Sequence, residues 1–335
     1  MSNLSKTAKT VVFTALGGPE VLKIEKVEIP APGAQEVRIR VKAIGINRAD
    51  AMYREGFYPE KPVFPAKLGY EAAGIIEAIG EGVTGFAIGD VVSIVPAFSL
   101  NSYATYGELI VMPAYTLQKH PASLSFEEAA SVWTSFISMY GLLVDAAKIK
   151  IGQTVIITAA SSSAGLAAIQ VTNLMGGISI GVTSSAGKRA ALLNAGAKHV
   201  VVSSEQDLVA EINQITAGKG ADIILDPVGG PMFSKLIAAA AERAQVFVYG
   251  AMSTGQAVFP TLEVLTKLPT IKGYTAADVL SNPVISQEAI KFINKGIEEG
   301  KLKPVVAKTF SLDEIGEAHR YMESNTHLGK VVVTV

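Results

Sequence analysis

The stretch VIITAASSSAGLAAIQ (155–170) sets a β-branched run against small residues that lead into a helix, with no bulky side chain at the junction. A strand ending this way delivers its chain to the N-terminus of a helix. There the first N–H groups lack intrahelical partners and the dipole adds partial positive charge, so a diphosphate can approach where side chains are small. The glycine fingerprint for such a turn has three glycines. Here Gly165 holds the position for close helix packing, while Ala159 and Ser162 stand at the other two. By itself the pattern also fits a serine-rich loop, so its neighbours decide. As a dinucleotide site, its candidate contacts are Ala160, Ser161, Ser162, Ser163, Ala164 and Gly165.

A second buried-looking strand, GISIGVTSS (177–185), follows after one helix, and KRAALLNAGA (188–197) reads as the next helix. In NAD-binding βαβ units an acidic residue at the end of the second strand takes the ribose hydroxyls. From Gly177 to Ser204 this chain has none; Ser184, Ser185, Lys188 and Arg189 stand there instead. Hydroxyls and cations suit a 2′-phosphate, which favours NADPH. A solvated first helical turn is the plainer alternative, but cations there work against the dipole. Alternation continues through a helix at 207–218, ADIILDPVGG (221–230), a helix through Ala241 and the strand QVFVYGAM (245–252). The fold class is α/β, a doubly wound parallel sheet of Rossmann type. Val228, within Asp226–Gly230, and Tyr249–Gly250 fall at C-terminal strand ends, where such sheets bind ligands, although glycine and proline there also simply make turns.

Before residue 125 the texture differs. EVRIRVKAIGI (36–46), GYEAAGIIEAIG (69–80) and GDVVSIVPA (89–97) are short strand-like runs between Gly and Pro, predicting a second, mostly β domain. GKVVVTV (329–335) reads as a strand returning to it, and helices at 286–300 and 312–324 are expected to pack against it. This order leaves a cleft between the domains in which a hydride could pass from cofactor to substrate.

Several motifs in order now resemble one family: GPEVLKIEKVEIPAPGAQEVRIRVKAIGIN (18–47), GYEAAGIIEAIGEGV (69–83), GFAIGDVV (85–92), SFEEAAS (125–131), AASSSAGL, DPVGG and EAHRYME with GKVVV. Over nearly its whole length the chain is similar to the medium-chain dehydrogenase/reductases, in particular the zinc-free, zeta-crystallin-like quinone oxidoreductases. The resemblance implies a GroES-like catalytic domain over 1–127 and 275–335, a Rossmann domain over 128–274, and a homodimer. Thr134 and Tyr274 complete the implied cofactor contacts. Zinc alcohol dehydrogenases of the family place ligands at positions matching Asn47, Tyr70 and Thr134; amide, phenol and hydroxyl are poor zinc donors, and the chain has no cysteine. Glu71 beside them reads as structural.

Without a metal to polarise a carbonyl, the acceptor must already be electron-poor, a quinone or an α,β-unsaturated carbonyl. Metal-free alcohol or ketone oxidoreduction, or NADPH binding with little turnover, are the alternatives. The resemblance puts Asn47 and Asp50 near the nicotinamide, and Tyr53 or Tyr70 is a candidate proton donor, with solvent as the other source. Tyr53, Phe57, Tyr58, Phe98, Tyr103, Tyr106 and Trp133 are the aromatics expected around a flat substrate, although aromatics also serve as core.

With 29 basic and 30 acidic residues in 335 there is no global field for nucleic acid. No apolar run approaches the roughly 20 residues needed to span a bilayer. The polar MSNLSKTAKT is expected to be a frayed tail, and the lack of cysteine agrees with a cytoplasmic location. The apolar stretch AVFPTLEVL (257–265) is expected just beyond the last strand of the dinucleotide domain, at a sheet edge that a partner would cover.

Overall fold

The computed structural model describes residues 5–335. In chain order the first unit contains β1 (Lys6–Phe13), β2 (Lys23–Ile29), β3 (Glu36–Gly45), α1 (Arg48–Arg54), β4 (Ala66–Lys67), β5 (Glu71–Ile79), β6 (Val91–Ile94), β7 (Leu109–Pro113), β8 (Leu117–Gln118) and α2 (Phe126–Ala129). Helix α3 (Trp133–Met139) leads into a π-helical turn, Tyr140–Ala146. The second unit follows with β9 (Thr154–Ile157), α4 (Ser163–Leu174), β10 (Ile178–Thr183), α5 (Arg189–Asn194), β11 (His199–Val202), α6 (Leu208–Ile215) and β12 (Ala221–Asp226). It continues with α7 (Met232–Ala238), β13 (Ala240–Val248), α8 (Thr261–Lys267), β14 (Thr270–Gly273), α9 (Ala277–Leu280) and α10 (Pro283–Glu298). The chain then returns to the first unit as β15 (Val306–Ser311), α11 (Ile315–Glu323) and β16 (Lys330–Thr334).

The first unit runs to Thr134 and resumes at Pro304–Val335; the second is Ser135–Lys303. These limits differ from the expected 127/128 and 274/275. At the second limit the difference lies in α10, which belongs to the second unit and not, as expected, on the β domain. Its apolar face of Ala289, Ile290, Ile293 and Ile297 is buried, and Phe292 meets Tyr140 with ring centroids 5.3 Å apart.

In the first unit the main sheet runs β15-β16-β3-β5-β6-β8, with β7 also paired to β3, and a smaller sheet runs β2-β1-β4. The returning strand pairs antiparallel with β3, Val332 opposite Gly45. The expected frayed tail is strand from Lys6 onward. Lys6–Val12 pair antiparallel with Lys23–Ile29, and Val11, Val12 and Phe13 are buried, so pairing and burial order the polar residues beside them. Met1–Leu4 lie outside the described residues. Gly45 admits close packing at the end of β3: an added Cβ would stand 1.9 Å from the Ala130 carbonyl oxygen.

The second unit is a doubly wound sheet of six parallel strands, β11-β10-β9-β12-β13-β14. Chain order reverses between β9 and β12, so the ligand crevice of such a sheet lies beyond their carboxyl ends. The helix expected to run through Ala241 stops at Ala238. Ala240 enters the sheet opposite Ala221 and Ala241 is buried beside it, so strand pairing overrides the helix propensity of an alanine run. AVFPTLEVL precedes the edge strand β14 and supplies most of α8, with Val258, Phe259, Leu262 and Leu265 exposed. The sequence places it beyond the last strand, because β14 is only four residues long and mostly exposed and does not stand out.

Candidate active site

In the second unit the turn after β9 is built by its small residues. Ala159 takes a left-handed conformation at φ +47°, and the Ser162 hydroxyl caps α4 by accepting the Gly165 N–H at 3.0 Å. A Cβ at Gly165 would lie 2.6 Å from the carbonyl oxygens of both Ala159 and Ala160, so the packing position tolerates only glycine. Ser162, the departure from the fingerprint, therefore acts on the helix itself. Ser161 accepts a hydrogen bond from Lys188 Nζ at 2.9 Å, which hangs an ammonium over the turn; burial lowers that ammonium's pKa. Arg189 instead pairs with the Gln206 side chain, which also accepts the Val202 N–H. Ser184 and Ser185 are exposed beside them, at the end of β10. Sequence alone could not separate Lys188 from Arg189; the structure turns Lys188 toward Ser161 in the turn after β9 and Arg189 toward Gln206 beyond β11.

At the end of β12 the buried Asp226 accepts the Thr158 hydroxyl at 2.8 Å and the N–H groups of Val228 at 3.0 Å and Gly229 at 3.1 Å, shaping the DPVGG turn. The Val228 carbonyl takes the Ser253 N–H. Gly250 passes so close to Pro227 that a Cβ would meet its carbonyl oxygen at 2.6 Å. The hydroxyls of Tyr249 and Tyr274 are buried without hydrogen-bond partners among the described residues. Burial pushes both phenols well above their ordinary range, so they stay protonated. Tyr274 lies over Gly141 in the π-helical turn, a feature frequent at functional sites. A small-residue cradle at a helix N-terminus, an ammonium above it and two unpaired buried hydroxyls in the same unit fit a nicotinamide dinucleotide.

In the first unit Asn47 and Asp50 are both buried rather than lining an open wall. Asp50 Oδ2 accepts the Asn47 N–H at 2.8 Å and the Tyr106 hydroxyl at 3.0 Å, while Oδ1 is buried without a partner among the described residues. Burial pushes this carboxyl up to about 7, against the opposing pull of those two hydrogen bonds and of the Lys330 charge. The Asn47 carboxamide is fully engaged: its oxygen accepts from Lys330 Nζ at 2.5 Å, and its nitrogen donates to the Gly45 carbonyl at 3.1 Å and toward Glu71 at 3.4 Å. Lys330 and Glu71, 1% and 0% exposed at their side chains, pair at 2.9 Å, and the other Glu71 oxygen accepts the Thr134 N–H at 3.2 Å. Neither Lys330 nor this role of Glu71 was picked out from the sequence. The available signal was a lysine leading the apolar run VVV in the strand read as returning to the first domain.

Tyr53 does not face the site. Helix α1 turns it inward with Asp50 and Arg54; it is fully buried, edge-on to Phe13, and donates to Asn101 Oδ1 at 2.8 Å. The phenols brought together are Tyr70 and Tyr58, in a chain of ring contacts that continues through Phe98 to Tyr103. Burial, then the facing Tyr58 hydroxyl, Glu60 and Asp50, push Tyr70 far up. Burial raises Tyr58 as well, partly offset by the Tyr70 hydroxyl. Of the other expected pocket aromatics, Tyr106 and Trp133 are core and Phe57 is exposed.

The donor set does not fit zinc. Asn47 and Glu71 are held by an ammonium, Tyr70 is a neutral phenol and Thr134 contributes its backbone to Glu71, leaving no thiolate or imidazole at these positions. Among the described residues no group of three or more His, Cys, Asp or Glu side chains could hold a metal ion, and no helix is long and apolar enough to cross a membrane.

Two family models match the chain: "Alcohol dehydrogenase GroES-like domain" over residues 33–122 and "Zinc-binding dehydrogenase" over 195–333. A synaptic vesicle membrane protein VAT-1 homolog of Danio rerio is 30% identical over 346 residues, covering 98% of this chain and 70% of its own. Among solved structures, an NAD-dependent alcohol dehydrogenase superposes with a TM-score of 0.89 at 33% identity, covering 98% of this chain and 99% of its own. The Escherichia coli quinone oxidoreductase complexed with NADPH gives 0.88 at 28% identity, covering 98% and 100%.

The Asp50 environment yields a pH prediction. Its folded pKa, about 7, lies above the ordinary 3.8, so the folded state holds a proton that the unfolded chain has released. This carboxyl therefore costs nothing below both values and lowers stability progressively as pH rises from about 4 to about 7. Asp50→Asn keeps an acceptor for Asn47 and Tyr106 and removes the titration. The melting temperature of the variant relative to wild type should climb between about pH 4 and 7 and level off above; a constant difference would contradict the assignment.

Proposed function

The chain belongs to the medium-chain dehydrogenase/reductase superfamily, in its zinc-free quinone oxidoreductase branch, and from that premise we propose that it reduces a quinone or an α,β-unsaturated carbonyl with NADPH and without a metal. The observation that carries this reading is the Lys330–Glu71 pair, which fills with an internal charge the place where a zinc site would need a vacant carboxylate and softer donors. An acceptor activated by its own conjugation needs no Lewis acid from the protein. When bound, the nicotinamide supplies the hydride.

The chain's own residues have three tasks. Ser162 and Gly165 keep the α4 N-terminus open to a diphosphate, and Asp226 holds the adjoining turn at Val228. Lys188, fixed on Ser161, is the cation for a 2′-phosphate. Tyr58 and Tyr70, neutral phenols held ring to ring, orient the acceptor oxygen and share with solvent the return of a proton. The similarity to an NAD-dependent alcohol dehydrogenase favours one competing reading, metal-free alcohol and ketone chemistry. Loss of NADPH absorbance with a simple ortho- or para-quinone and with an enone, set against NADP⁺ reduction with alcohols, separates the two; activity confined to alcohols would defeat the proposal.

We also propose a homodimer. Strand β14 ends the parallel sheet with one side unpaired, and Val258, Phe259, Leu262 and Leu265 expose apolar surface beside it, an arrangement that a second copy can cover by symmetry. Light scattering at micromolar concentration should give the mass of two chains, and a monomer would refute this.

NADPH should bind at least about tenfold more tightly than NADH, roughly 1.4 kcal/mol. Lys188→Glu should erase most of that preference, whereas Arg189→Glu, altering a side chain tied to Gln206, should leave most of it. Titration of both variants by fluorescence decides the point, and an intact preference in Lys188→Glu would move the contact elsewhere. Tyr58→Phe and Tyr70→Phe should each lower kcat by less than about tenfold, since a dedicated general acid contributes 10²–10⁴. A thousandfold loss in either, with folding and NADPH affinity unchanged, would identify an obligatory proton donor.

A further inference from the structure

We propose that Lys330 is a positioning residue for the reaction, its buried ammonium fixing the Asn47 carboxamide and the Glu71 carboxylate and, through them, the start of α1 and the backbone of Thr134. The inference rests on the hydride-transfer reading above and goes beyond it by assigning a role to a residue outside the aromatic and cofactor sites. Two charges taken into a core gain little stability over apolar side chains of similar volume, so stability alone gives no reason for the pair to be there. Its geometry does. Lys330 Nζ reaches Asn47 at 2.5 Å and Glu71 at 2.9 Å, while the Lys330 N–H is tied to the Val305 carbonyl at 2.8 Å. Glu71 carries the constraint to the Thr134 N–H at 3.2 Å, and Asn47 carries it through its own N–H to Asp50 at 2.8 Å. Tyr70 directly precedes Glu71 in the chain. Three segments far apart in sequence are thus referenced to one point charge: the start of α1, whose Asp50 lies near the Tyr70 phenol, the head of β5 next to Tyr70, which is proposed to meet the acceptor, and the backbone of Thr134.

The test is the full-length Lys330→Met/Glu71→Gln double variant, which removes both charges together and leaves neither stranded. We expect a melting temperature equal to or above wild type and an NADPH dissociation constant within about threefold, with kcat for quinone reduction lowered by about tenfold or more. A stable double variant with wild-type kcat overturns the proposal. If the double variant does not fold, Lys330→Ala titrated with propylammonium chloride replaces it: recovery of quinone reduction with the added ammonium supports the assignment, and no recovery overturns it. A wild-type protein inactive toward every quinone and enone would instead sink the hydride-transfer reading and this inference with it.

Discussion

The first unit is organised by a buried charge that must be answered. Lys330 begins a strand whose next three residues are valines of the core, and an ammonium there is tolerable only if a carboxylate meets it. Glu71 does so from the first position of β5, across β3, and the pairing constrains the register of the sheet. A slip of one residue in β16 against β3 would turn Lys330 to the opposite face and leave Glu71 alone in the interior. The same pair decides what Asn47 can do. With its oxygen on Lys330 and its nitrogen on Gly45 and Glu71, this amide braces the entry to α1 and presents nothing to a ligand.

The second unit rests on a different constraint, close backbone approach. Gly165 against Ala159 and Ala160, and Gly250 against Pro227, let the carboxyl ends of β9 and β12 and the loop after β13 crowd together at the switch point. Polar groups there include the capped α4 N-terminus, the Lys188 ammonium on Ser161, the Asp226–Thr158 pair and the Tyr249 hydroxyl, which has no partner among the described residues. A nicotinamide dinucleotide would need exposed N–H groups at a helix N-terminus, whereas the buried knot of the first unit needs its donors satisfied.

Much of this was legible in the sequence, for identifiable reasons. The βαβ alternation, the β-rich first unit and the returning strand announce themselves through periodicity and punctuation, which are local signals. The serine-rich turn was legible because its residue sizes were informative, and the absence of an acidic residue after β10 pointed to the cation that the structure turns toward Ser161. The misses share one cause, side-chain direction set by distant partners. Tyr53 and Tyr58 are indistinguishable as sequence, yet helix α1 carries the first into the core against Phe13 and the loop beyond it brings the second to Tyr70. Lys330 was passed over because a lysine at the head of a strand reads as solvated, and only Glu71, 259 positions away, makes it internal. Helix α10 was placed on the wrong unit because amphipathicity shows that a face is buried without showing against what.

In the reaction proposed above, the chain works through fixed internal charge and a conjugated acceptor, with no metal. Elemental analysis of the purified protein, together with its rate of quinone-dependent NADPH oxidation before and after exhaustive chelation, separates this from metal catalysis. No stoichiometric zinc and an unchanged rate are expected. One zinc per chain, removed in step with activity and restoring it on return, would contradict the proposal.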